Sequence, residues 1–261
     1  MFEVIDTHAH LDEIADLQAA LKDARNVGVT AIIAVGSNHR SNQRILEICL
    51  EHPAIVYPAL GLHPWELGNL EPHHIESTLK FIEEKTGGVV AIGEIGLDYD
   101  KRVTKMAPKE LQKEVFKRLL CQARQEAKPV IVHSRYAWKD SFEIVKETGI
   151  KKAVFHWFTG LSSVLREILQ AGYFISATPA AEYHEEHRRA IKETPLERLL
   201  LESDCPVIYG RETKYRSTPS HVLRSLKAAA AIKDLGEVTL AEQTTRNAAH
   251  FFGLASIYTS C

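Results

Sequence analysis

The sequence predicts an α/β fold of the (β/α)8, TIM-like barrel class, in a single domain with an extra C-terminal helix. Three observations carry this prediction: eight short β-branched runs, amphipathic helical segments between them, and a polar residue at the end of nearly every run. Eight strands, each followed by a helix, are typical of a closed parallel barrel. A doubly wound open sheet is the alternative, but it would normally place one dominant site at a switch point.

The predicted strands are short apolar runs, and the segments between them have helical spacing, as in Leu17-x-x-Ala20-Leu21-x-x-Ala24. Glycines at 28, 149 and 172 are suited to positions just past helix ends. The last helical segment, 239–253, is expected to close one end of the barrel. The predicted strands span residues 3–7, 30–35, 55–60, 89–93, 129–132, 153–155, 173–177 and 199–202.

Composition indicates an ordinary globular protein, since 45% of the 261 residues are hydrophobic and 25% are charged. No linker or repeat divides the chain, so we predict one domain over residues 1–261. No run of about 18–20 apolar residues is present, so we expect no membrane helix. The N-terminus lacks a basic region followed by an apolar run, so we expect no secretion signal. Four cysteines without a CxxC pair indicate reduced thiols in the cytoplasm.

The formal net charge of −2 bears on the possible partners. A protein that binds nucleic acid mainly through its own lysines and arginines is usually basic. Any affinity of this chain for a polyanion must therefore come from a local site. Bound divalent metal ions could supply it, because they are often the largest charges in a pocket.

The first predicted strand carries the strongest local motif, Asp6-Thr7-His8-Ala9-His10. Side chains alternate across a strand, so two histidines two residues apart point the same way and can reach one metal ion. Asp6 is in phase with them and is a candidate hydrogen-bond partner for an imidazole. The alternative is that both histidines only pack on a half-buried strand.

The ends of other predicted strands carry further potential ligands, namely Glu94, His133, His156 and Asp204. With the two histidines of strand 1, they would place several charges in a low-dielectric barrel mouth, and divalent cations would balance that charge. Four histidines and two carboxylates exceed the three protein ligands of one catalytic zinc site. The surplus favours two ions that share a bridging carboxylate. Glu94 is the natural bridge, because strand 4 lies between strand 1 and strands 5 and 6.

The order of these motifs along the chain is more specific than any one of them. The motifs are Asp6-x-His8-x-His10, Gly61-x-His63-Pro64, Gly93-Glu94-x-Gly96-Leu97-Asp98, Pro129-x-x-x-His133-Ser134-Arg135, Phe155-His156-x-Phe158, Glu202-x-Asp204-x-Pro206, and Asn247 followed by Phe252-Gly253. In this order and spacing the chain resembles the TatD-type deoxyribonuclease family of the amidohydrolase superfamily. The resemblance covers essentially the whole chain.

The resemblance implies hydrolysis of phosphodiesters, typically DNA, with one or two divalent metal ions. By position, one ion would bind His8, His10 and Glu94, and the other would bind Glu94, His133 and His156. Magnesium is the usual ion of the family, although histidine-rich ligation suits zinc, manganese or nickel better. Many two-metal amide hydrolases of the superfamily use a carboxylated lysine on strand 4. Glu94 at that place favours phosphoesters over amides.

The chemistry expected is in-line attack on phosphorus by a metal-activated water. Asp204 would lie beside that water and take its proton or orient it; the alternative is a carboxylate that caps the next helix. His63 would contact a phosphate oxygen or protonate the leaving group, unless it only caps a tight His-Pro turn. Arg135 would clamp the phosphate in a bidentate fork, unless it is a plain surface arginine.

Aromatic and basic residues near the predicted mouth are candidates for nucleic-acid contacts. Bases could stack on the aromatic rings, or the rings could only pack in the barrel wall. The basic residues could follow a phosphate backbone, or they could be solvated loop charges. The rings are Trp65, Tyr99, Tyr136, Trp138 and Trp157, and the basic residues are Lys101, Arg102, Lys105, Lys214 and Arg216.

Two loops depart from the pattern of the family that the chain resembles. Tyr136 stands where relatives usually carry an acidic residue, and Ser217 replaces the asparagine of their Asn-x-Pro. These loops shape the substrate pocket and not the metal site. A hydrolase of amides, lactones or aminoacyl esters therefore remains an alternative, as does a metal-binding protein without turnover.

The sequence as a whole predicts a cytoplasmic, divalent-metal-dependent phosphodiester hydrolase, and specifically a deoxyribonuclease. Two ions of magnesium, manganese or zinc are the expected cofactors. DNA or another phosphodiester is the expected substrate. The sequence leaves the oligomeric state open, with a monomer slightly favoured, and we expect no membrane partner.

Overall fold

A computed structural model describes residues 3–254 of the chain and contains the predicted barrel. Cys261 and the other residues of the predicted domain beyond this range lie outside the described residues. Eight parallel strands follow one another around the sheet in chain order. They are β1 (Val4–Ala9), β2 (Val29–Val35), β3 (Val56–Leu60), β4 (Ala91–Gly96), β5 (Val130–His133), β6 (Ala153–Phe155), β7 (Phe174–Ala177) and β8 (Leu199–Leu201).

The barrel closes between β1 and the segment that follows β8. The backbone N–H of Asp204 donates to the carbonyl of His8 at 3.0 Å, and that of His10 donates to the carbonyl of Cys205 at 2.8 Å. Ala9 and Cys205 form a parallel bridge. Closure therefore occurs at the level of the β1 histidines, and it brings the end of β8 beside them.

At least one helix follows each strand of the barrel, and two helices follow each of β4 and β8. They are α1 (Leu17–Asn26), α2 (His39–Glu51), α3 (Pro72–Lys85), α4 (Lys101–Met106), α5 (Lys109–Gln125), α6 (Trp138–Thr148), α7 (Ser162–Gln170), α8 (Glu185–Glu193), α9 (Val222–Lys233) and α10 (Glu237–Phe252). A small hairpin of β9 (Ile208–Tyr209) and β10 (Tyr215–Arg216) precedes α9. Within residues 3–254, no helix has the length and hydropathy needed to cross a bilayer.

The buried apolar residues form two groups, as expected for a barrel. One group joins the outer faces of the strands to the surrounding helices. The other takes alternate strand residues, such as Ala31, Ile33 and Val35, together with Phe251 and Phe252 at the end of α10. Because side chains alternate across a strand, this second group fills the barrel interior. The extra helix thus packs against the interior residues, which confirms the predicted fold class.

Two strands extend by two or more residues further than predicted, and both differences concern the mouth. β1 runs to Ala9 instead of residue 7, and β4 runs to Gly96 instead of residue 93. Gly96 pairs with His133 of β5, so the polar residues at these ends remain inside the hydrogen-bonded ladder. The apolar runs therefore end before the strands do. As a result, several candidate ligands lie on the rigid sheet and not on loops.

Candidate metal centre

The structure brings together the six predicted metal ligands and His63 at the carboxyl ends of the strands. β1 supplies His8 and is followed directly by His10, β4 supplies Glu94, and β5 ends on His133. His156 follows β6 directly, Asp204 lies three residues after β8, and His63 lies three residues after β3. Arg135 is not part of this cluster. The predicted candidates thus meet in one place, although β1 and β4 are separated by two other strands.

The first donor set consists of His8, His10, Asp204 and the Oε2 atom of Glu94. The two Nε2 atoms of His8 and His10 lie 3.3 Å apart, and they lie 3.3 and 3.4 Å from Glu94 Oε2. Asp204 Oδ1 lies 3.6 and 3.7 Å from the same two nitrogens. Bonds of about 2.0–2.2 Å to one tetrahedral ion place its ligand atoms about 3.3–3.6 Å apart. The spacing of the first donor set fits that requirement.

The second donor set consists of His133, His156 and the Oε1 atom of Glu94. Glu94 Oε1 lies 2.9 Å from His133 Nδ1 and 2.7 Å from His156 Nε2. These two nitrogens are 3.4 Å apart. The two oxygens of Glu94 therefore face different donor sets, which is the arrangement of a bridging carboxylate.

Two glycines allow the backbone to approach closely at the strand that carries Glu94. A Cβ at Gly61 would lie 2.3 Å from the carbonyl oxygen of Glu94, and one at Gly96 would lie 2.0 Å from that of His133. Gly96 also has φ of +148°, which favours glycine. The Gly-x-His and Gly-Glu-x-Gly motifs thus have a steric cause: neighbouring strands could not otherwise pack beside the ligands.

Two carboxylates that the sequence analysis did not assign to the site support the second donor set. Asp98 Oδ2 lies 3.0 Å from Nε2 of His133, and Glu202 Oε1 lies 3.4 Å from Nδ1 of His156. A carboxylate that accepts one ring N–H fixes the tautomer and leaves the other nitrogen free to bind a metal, as Asp98 does for His133. The contact of Glu202 with His156 has the distance of an ion pair but makes no hydrogen bond. Both acids belong to the sequence motifs given above, so the sequence indicated that they are relevant. Their spacing in the sequence does not show which histidine each of them contacts.

Asp98 is itself held by several donors. Its Oδ2 accepts the indole N–H of Trp65 at 2.5 Å, and its Oδ1 accepts the backbone N–H of Asp100 at 2.7 Å. The side chain of Gln112 hydrogen-bonds the backbone N–H and carbonyl of Asp98. The carboxylate facing His133 is therefore fixed in place, and its pKa is lowered: burial raises it, but hydrogen bonds from His133 and Trp65 overcome that effect.

His63 lies beside the second donor set as a neutral hydrogen-bond donor. Its Nδ1 accepts the backbone N–H of Trp65 at 3.1 Å, so the neutral ring carries its hydrogen on Nε2. That Nε2 lies 3.3 Å from Glu94 Oε1. Burial lowers the pKa of His63 to about 4. The ring is therefore uncharged at neutral pH.

Three other histidines have raised pKa values because of the acids around them. Burial lowers the pKa of His10, but the hydrogen bond to Glu94 and nearby carboxylate charge raise it to about 9. The pKa values of His133 and His156 are also raised despite burial, through contacts that include Glu94. The proton on His10 helps to balance the buried carboxylates in the metal-free protein. A divalent cation can take its place.

The prediction that Asp6 partners an imidazole is wrong. Its carboxylate accepts hydrogen bonds from the backbone N–H of Ser203 at 2.8 Å, from the Ser203 hydroxyl at 2.6 Å, and from the backbone N–H of His8 at 3.3 Å. The register of β1 is irregular between Asp6 and Ala9, so strict alternation does not continue from Asp6 to the histidines. Asp6 instead ties β1 to the end of β8.

Arg135 and the candidate aromatic residues have different surroundings. The Nη2 atom of Arg135 lies 3.1 Å from Asp100 Oδ2, and its side chain is 36% exposed. Trp138 and Trp157 are partly buried, and the ring of Trp157 lies 5.5 Å from that of Tyr209. Trp65 and Tyr136 have exposed surfaces of 50% and 56%. Among the basic candidates, Lys101, Arg102 and Lys105 lie on α4, and Arg216 lies on β10.

Comparison with known proteins assigns the family. The model of the family described as TatD related DNase matches residues 5–253. The chain is 33% identical to the metal-dependent hydrolase YabD of Bacillus subtilis, over 95% of this chain and 98% of that protein. It is 30% identical to the 3'-5' ssDNA/RNA exonuclease TatD of Erwinia tasmaniensis, over 92% and 94% of the two chains. The crystal structure of YJJV, a TatD homologue from Escherichia coli, superposes with a TM-score of 0.86 at 28% identity, over 96% of this chain and 98% of that one. With its family model matched from β1 to the end of α10 and its histidines and carboxylates placed to bind metal, the chain belongs to the TatD related DNase family.

Proposed function

We propose that the protein is a divalent-metal-dependent phosphodiester hydrolase, and specifically a deoxyribonuclease. The observation that carries this proposal is the position of Glu94, whose two oxygens face two separate groups of nitrogen ligands. Two ions about 3.5–4 Å apart are a common arrangement in phosphatases and nucleases, where they stabilise both the attacking and the leaving oxygen. We assign one ion to the first donor set and one to the second.

The donor chemistry supports this assignment and narrows the choice of ion. Imidazole suits zinc and other transition metals, whereas carboxylate oxygens also suit magnesium and manganese. The site mixes four imidazoles with carboxylates, and the spacing of the first donor set fits tetrahedral zinc. We keep magnesium, manganese and zinc as candidates, and they are compared in the experiment below.

A divalent ion supplies Lewis acidity when bound and lowers the pKa of its water from about 16 toward 7. Asp204 is placed to accept the proton of an attacking water, since its Oδ1 lies beside both β1 histidines. Its backbone has φ of +45°, in the left-handed region that non-glycine residues rarely adopt. Hydrogen bonds from its N–H to His8 and from Val207 to its carbonyl hold this conformation. Such backbone conformations cluster at functional sites.

His63 and Arg135 are proposed to contact the substrate. The neutral His63 can donate its Nε2–H to a phosphate oxygen at the mouth. Its pKa of about 4 makes it a donor of a hydrogen bond and not a source of a full proton at neutral pH in the metal-free protein. Arg135 lies two residues beyond His133 and would pair with phosphate oxygens by a planar fork.

The nucleic-acid substrate is taken from the relatives and not from the metal site. The matched family is described as DNase, and the Erwinia relative is named for action on single-stranded DNA and RNA. We propose DNA as the substrate class. We also propose a monomer in the cytoplasm. The free thiols of Cys49, Cys121 and Cys205 support that location, because a reducing compartment maintains them.

The test is hydrolysis by metal-stripped protein to which magnesium, manganese or zinc is returned. The substrates are a single-stranded DNA oligonucleotide and the generic phosphodiester bis(p-nitrophenyl) phosphate. Glu94→Ala is the diagnostic variant. Glu76→Ala, which removes a surface acid paired with Arg118, is the matched control. We expect activity that depends on returned metal, that persists in the control and that is lost with Glu94→Ala.

The outcomes separate the proposed function from its alternative. Cleavage of DNA in preference to the generic ester supports a nuclease, whereas cleavage of the ester alone supports a phosphodiesterase of other substrates. Metal binding without cleavage of either substrate would overturn the proposal. Amides, lactones and aminoacyl esters would then be the substrates to examine.

A further inference from the structure

A charged and aromatic patch lies beside the metal centre on the side of β4 and β5. It consists of Arg102, Arg135 and Tyr136 around the carboxylate of Asp100, and we call it the arginine patch. Arg102 Nε and Nη2 donate to the two oxygens of Asp100 at 3.0 Å each. Arg135 Nη2 lies 3.1 Å from Asp100 Oδ2. One carboxylate therefore orients two guanidinium groups.

The arginine patch has an excess of positive charge. Two guanidinium groups share the single carboxylate of Asp100, and the arginines keep the pKa of that carboxyl well below its ordinary value. The segment 100–109 contains four cationic residues and one acid, in a chain whose net charge is −2. Arg102 is 79% exposed. The unbalanced charge is accessible to an anion, and guanidinium groups bind phosphate well because their fork matches its oxygens.

Tyr136 adds an accessible ring to the same place. Its side chain is 56% exposed, although tyrosine has a large apolar surface to bury. The guanidinium of Arg135 lies 5.3 Å from the ring centroid, and the ring of Trp138 lies 5.9 Å away at a steep angle. Its φ of +55° is a conformation that a bulky residue rarely adopts. The backbone thus holds an aromatic face at the surface, next to the guanidinium groups.

The patch is connected to the metal centre by a short series of contacts. The backbone N–H of Asp100 donates to Asp98 Oδ1, and Asp98 Oδ2 contacts Nε2 of His133. Arg135 follows His133 by two residues, and its carbonyl accepts the N–H of Tyr99. The arginine patch is therefore two hydrogen bonds away from a histidine of the second donor set.

We propose that the arginine patch is a binding subsite for the nucleotide adjacent to the scissile phosphodiester. Arg102 and Arg135 bind its phosphate, and Tyr136 stacks on its unpaired base. A base stacked on an aromatic side chain contributes about 1–3 kcal/mol in single-strand binding, and every base offers such a face. The inference rests on the proposed function and adds to it that these named residues recognise the strand beyond the bond that is cut.

The first experiment measures binding, so that it does not depend on turnover. A fluorescein-labelled single-stranded DNA oligonucleotide is titrated with metal-loaded protein in an Asp204→Asn background, and anisotropy is recorded. We expect Arg102→Ala and Tyr136→Ala each to weaken binding about tenfold. Tyr136→Phe keeps the ring and is expected to bind within about twofold of the parent protein. Arg211→Ala is the control, because Arg211 also lies over a tyrosine, at 5.8 Å from the ring centroid of Tyr183, but on another loop.

The second experiment measures preference between substrates in the otherwise unmodified enzyme. The ratio of kcat/KM for the oligonucleotide to kcat/KM for bis(p-nitrophenyl) phosphate is expected to fall about tenfold in Arg102→Ala and Tyr136→Ala. Tyr136→Phe should restore this ratio. Rescue by phenylalanine distinguishes stacking from a role of the hydroxyl or of local stability.

The results distinguish failure of this inference from failure of the proposed function. Binding and substrate preference that stay at parent values in Arg102→Ala and Tyr136→Ala overturn the subsite. Equal losses in Tyr136→Phe and Tyr136→Ala overturn the stacking role. An unmodified enzyme that binds the strand through these residues but never cleaves it supports the subsite while contradicting the nuclease proposal.

Discussion

The two donor sets share Glu94 but are held in place by different parts of the protein. In the first donor set, backbone hydrogen bonds between β1 and the end of β8 place His8 beside Asp204. Neither Nδ1 of His8 nor Nδ1 of His10 has a hydrogen-bond partner within residues 3–254. In the second donor set, Nε2 of His133 lies in hydrogen-bond contact with Asp98. Nδ1 of His156 also makes no hydrogen bond within these residues, but it lies 3.4 Å from the Glu202 carboxylate.

This difference shows two ways to fix a ligand. The first donor set depends on closure of the barrel, so its geometry is tied to the stability of the β1–β8 contact. The second donor set depends on individual buried carboxylates, so its geometry is tied to particular side chains. Substitutions can therefore separate the two, and the following experiments are arranged from the largest expected effect to the smallest.

Replacement of the shared ligand should affect the two sets unequally. Glu94→Ala leaves three potential ligands in the first donor set, His8, His10 and Asp204, which the structure groups without Glu94. Only two nitrogens remain in the second. We expect bound metal, measured by atomic emission after dialysis, to fall from two ions per chain to one or fewer, and turnover to fall by roughly 1,000-fold or more because the activated water is lost. Retention of two tightly bound ions would contradict the bridging role of Glu94.

Asp98→Asn should weaken the second donor set selectively. Asp98 accepts hydrogen bonds from Trp65, Asp100 and His133, so an amide NH2 group must face at least one of these donors. Loss of such a supporting carboxylate costs about 10–100-fold in metal affinity. Calorimetric titration with zinc should therefore show one site weakened by this factor and one unchanged.

A neighbouring surface acid provides the control for Asp98→Asn. Asp140 bonds the hydroxyl of Tyr99 and the ammonium of Lys113, and it is not in contact with the histidines. Asp140→Asn should leave both sites unchanged. Equal weakening of both sites in Asp98→Asn would show that the two donor sets are not independent.

Metal binding should become tighter as pH rises. The pKa of His10 is about 9 in the metal-free protein, so this ring is protonated at neutral pH. The pKa values of His133 and His156 are raised as well, which also opposes loss of their protons. A proton must leave each ring before its nitrogen can bind a metal. Affinity should rise by up to about tenfold per pH unit for each proton released, and the gain at His10 should end near pH 9.

Calorimetry in buffers of different ionisation enthalpy measures the number of protons released. We expect proton release at pH 7 and less release at pH 9, because His10 has by then lost part of its charge. Zero release at pH 7 would mean that the rings are already neutral, and the charge balance inferred for the cluster would be wrong.

The outline of the fold and the members of the cluster could be predicted from sequence because each leaves a periodic or positional signal. Eight apolar runs specify the strands, and the placement of His133 and His156 at run ends specifies the mouth. The contacts that orient the ligands have no such signal. Asp6 is in phase with the β1 histidines in sequence, yet a register irregularity turns it toward Ser203. Asp98 contacts a histidine 35 residues away, which depends on packing between β4 and β5.

β1 and β4 extend beyond their predicted ends because of the functional residues that they carry. Polar residues normally indicate the end of a buried strand, but at this mouth they are the functional residues and remain in the sheet. Gly93 and Gly96 lower strand propensity on either side of Glu94. Their value lies in close backbone approach, since a Cβ at Gly93 would lie 2.6 Å from Cβ of Ile131. At these glycines, low strand propensity opposes strand formation, whereas close packing against the neighbouring strand requires glycine. The packing requirement determines the structure.

Ser203→Ala should produce the smallest effect and should act on the first donor set through the backbone. The hydroxyl of Ser203 donates to Asp6 Oδ2 at 2.6 Å, and both residues are fully buried. Removal of one partner of a buried hydrogen bond costs about 1–3 kcal/mol. We expect the free energy of unfolding in urea to fall by that amount, with only a few-fold loss of turnover, because the backbone hydrogen bonds of β1 to Asp204 and Cys205 remain.

Ser162→Ala is the matched control. It removes a half-buried hydroxyl near the surface that donates to Glu193 at 2.8 Å and accepts from Arg189 at 2.9 Å, and we expect it to change stability little because water can replace these contacts. If barrel closure fixes the first donor set, Ser203→Ala should also weaken zinc binding at the first donor set. It should leave zinc binding at the second donor set, which Asp98→Asn weakens, unchanged. The double variant would then lose affinity at both sites additively, as expected for supports that share no contact. Reduced stability of Ser203→Ala with unchanged zinc affinity at both sites would show that barrel closure stabilises the fold but does not affect metal binding.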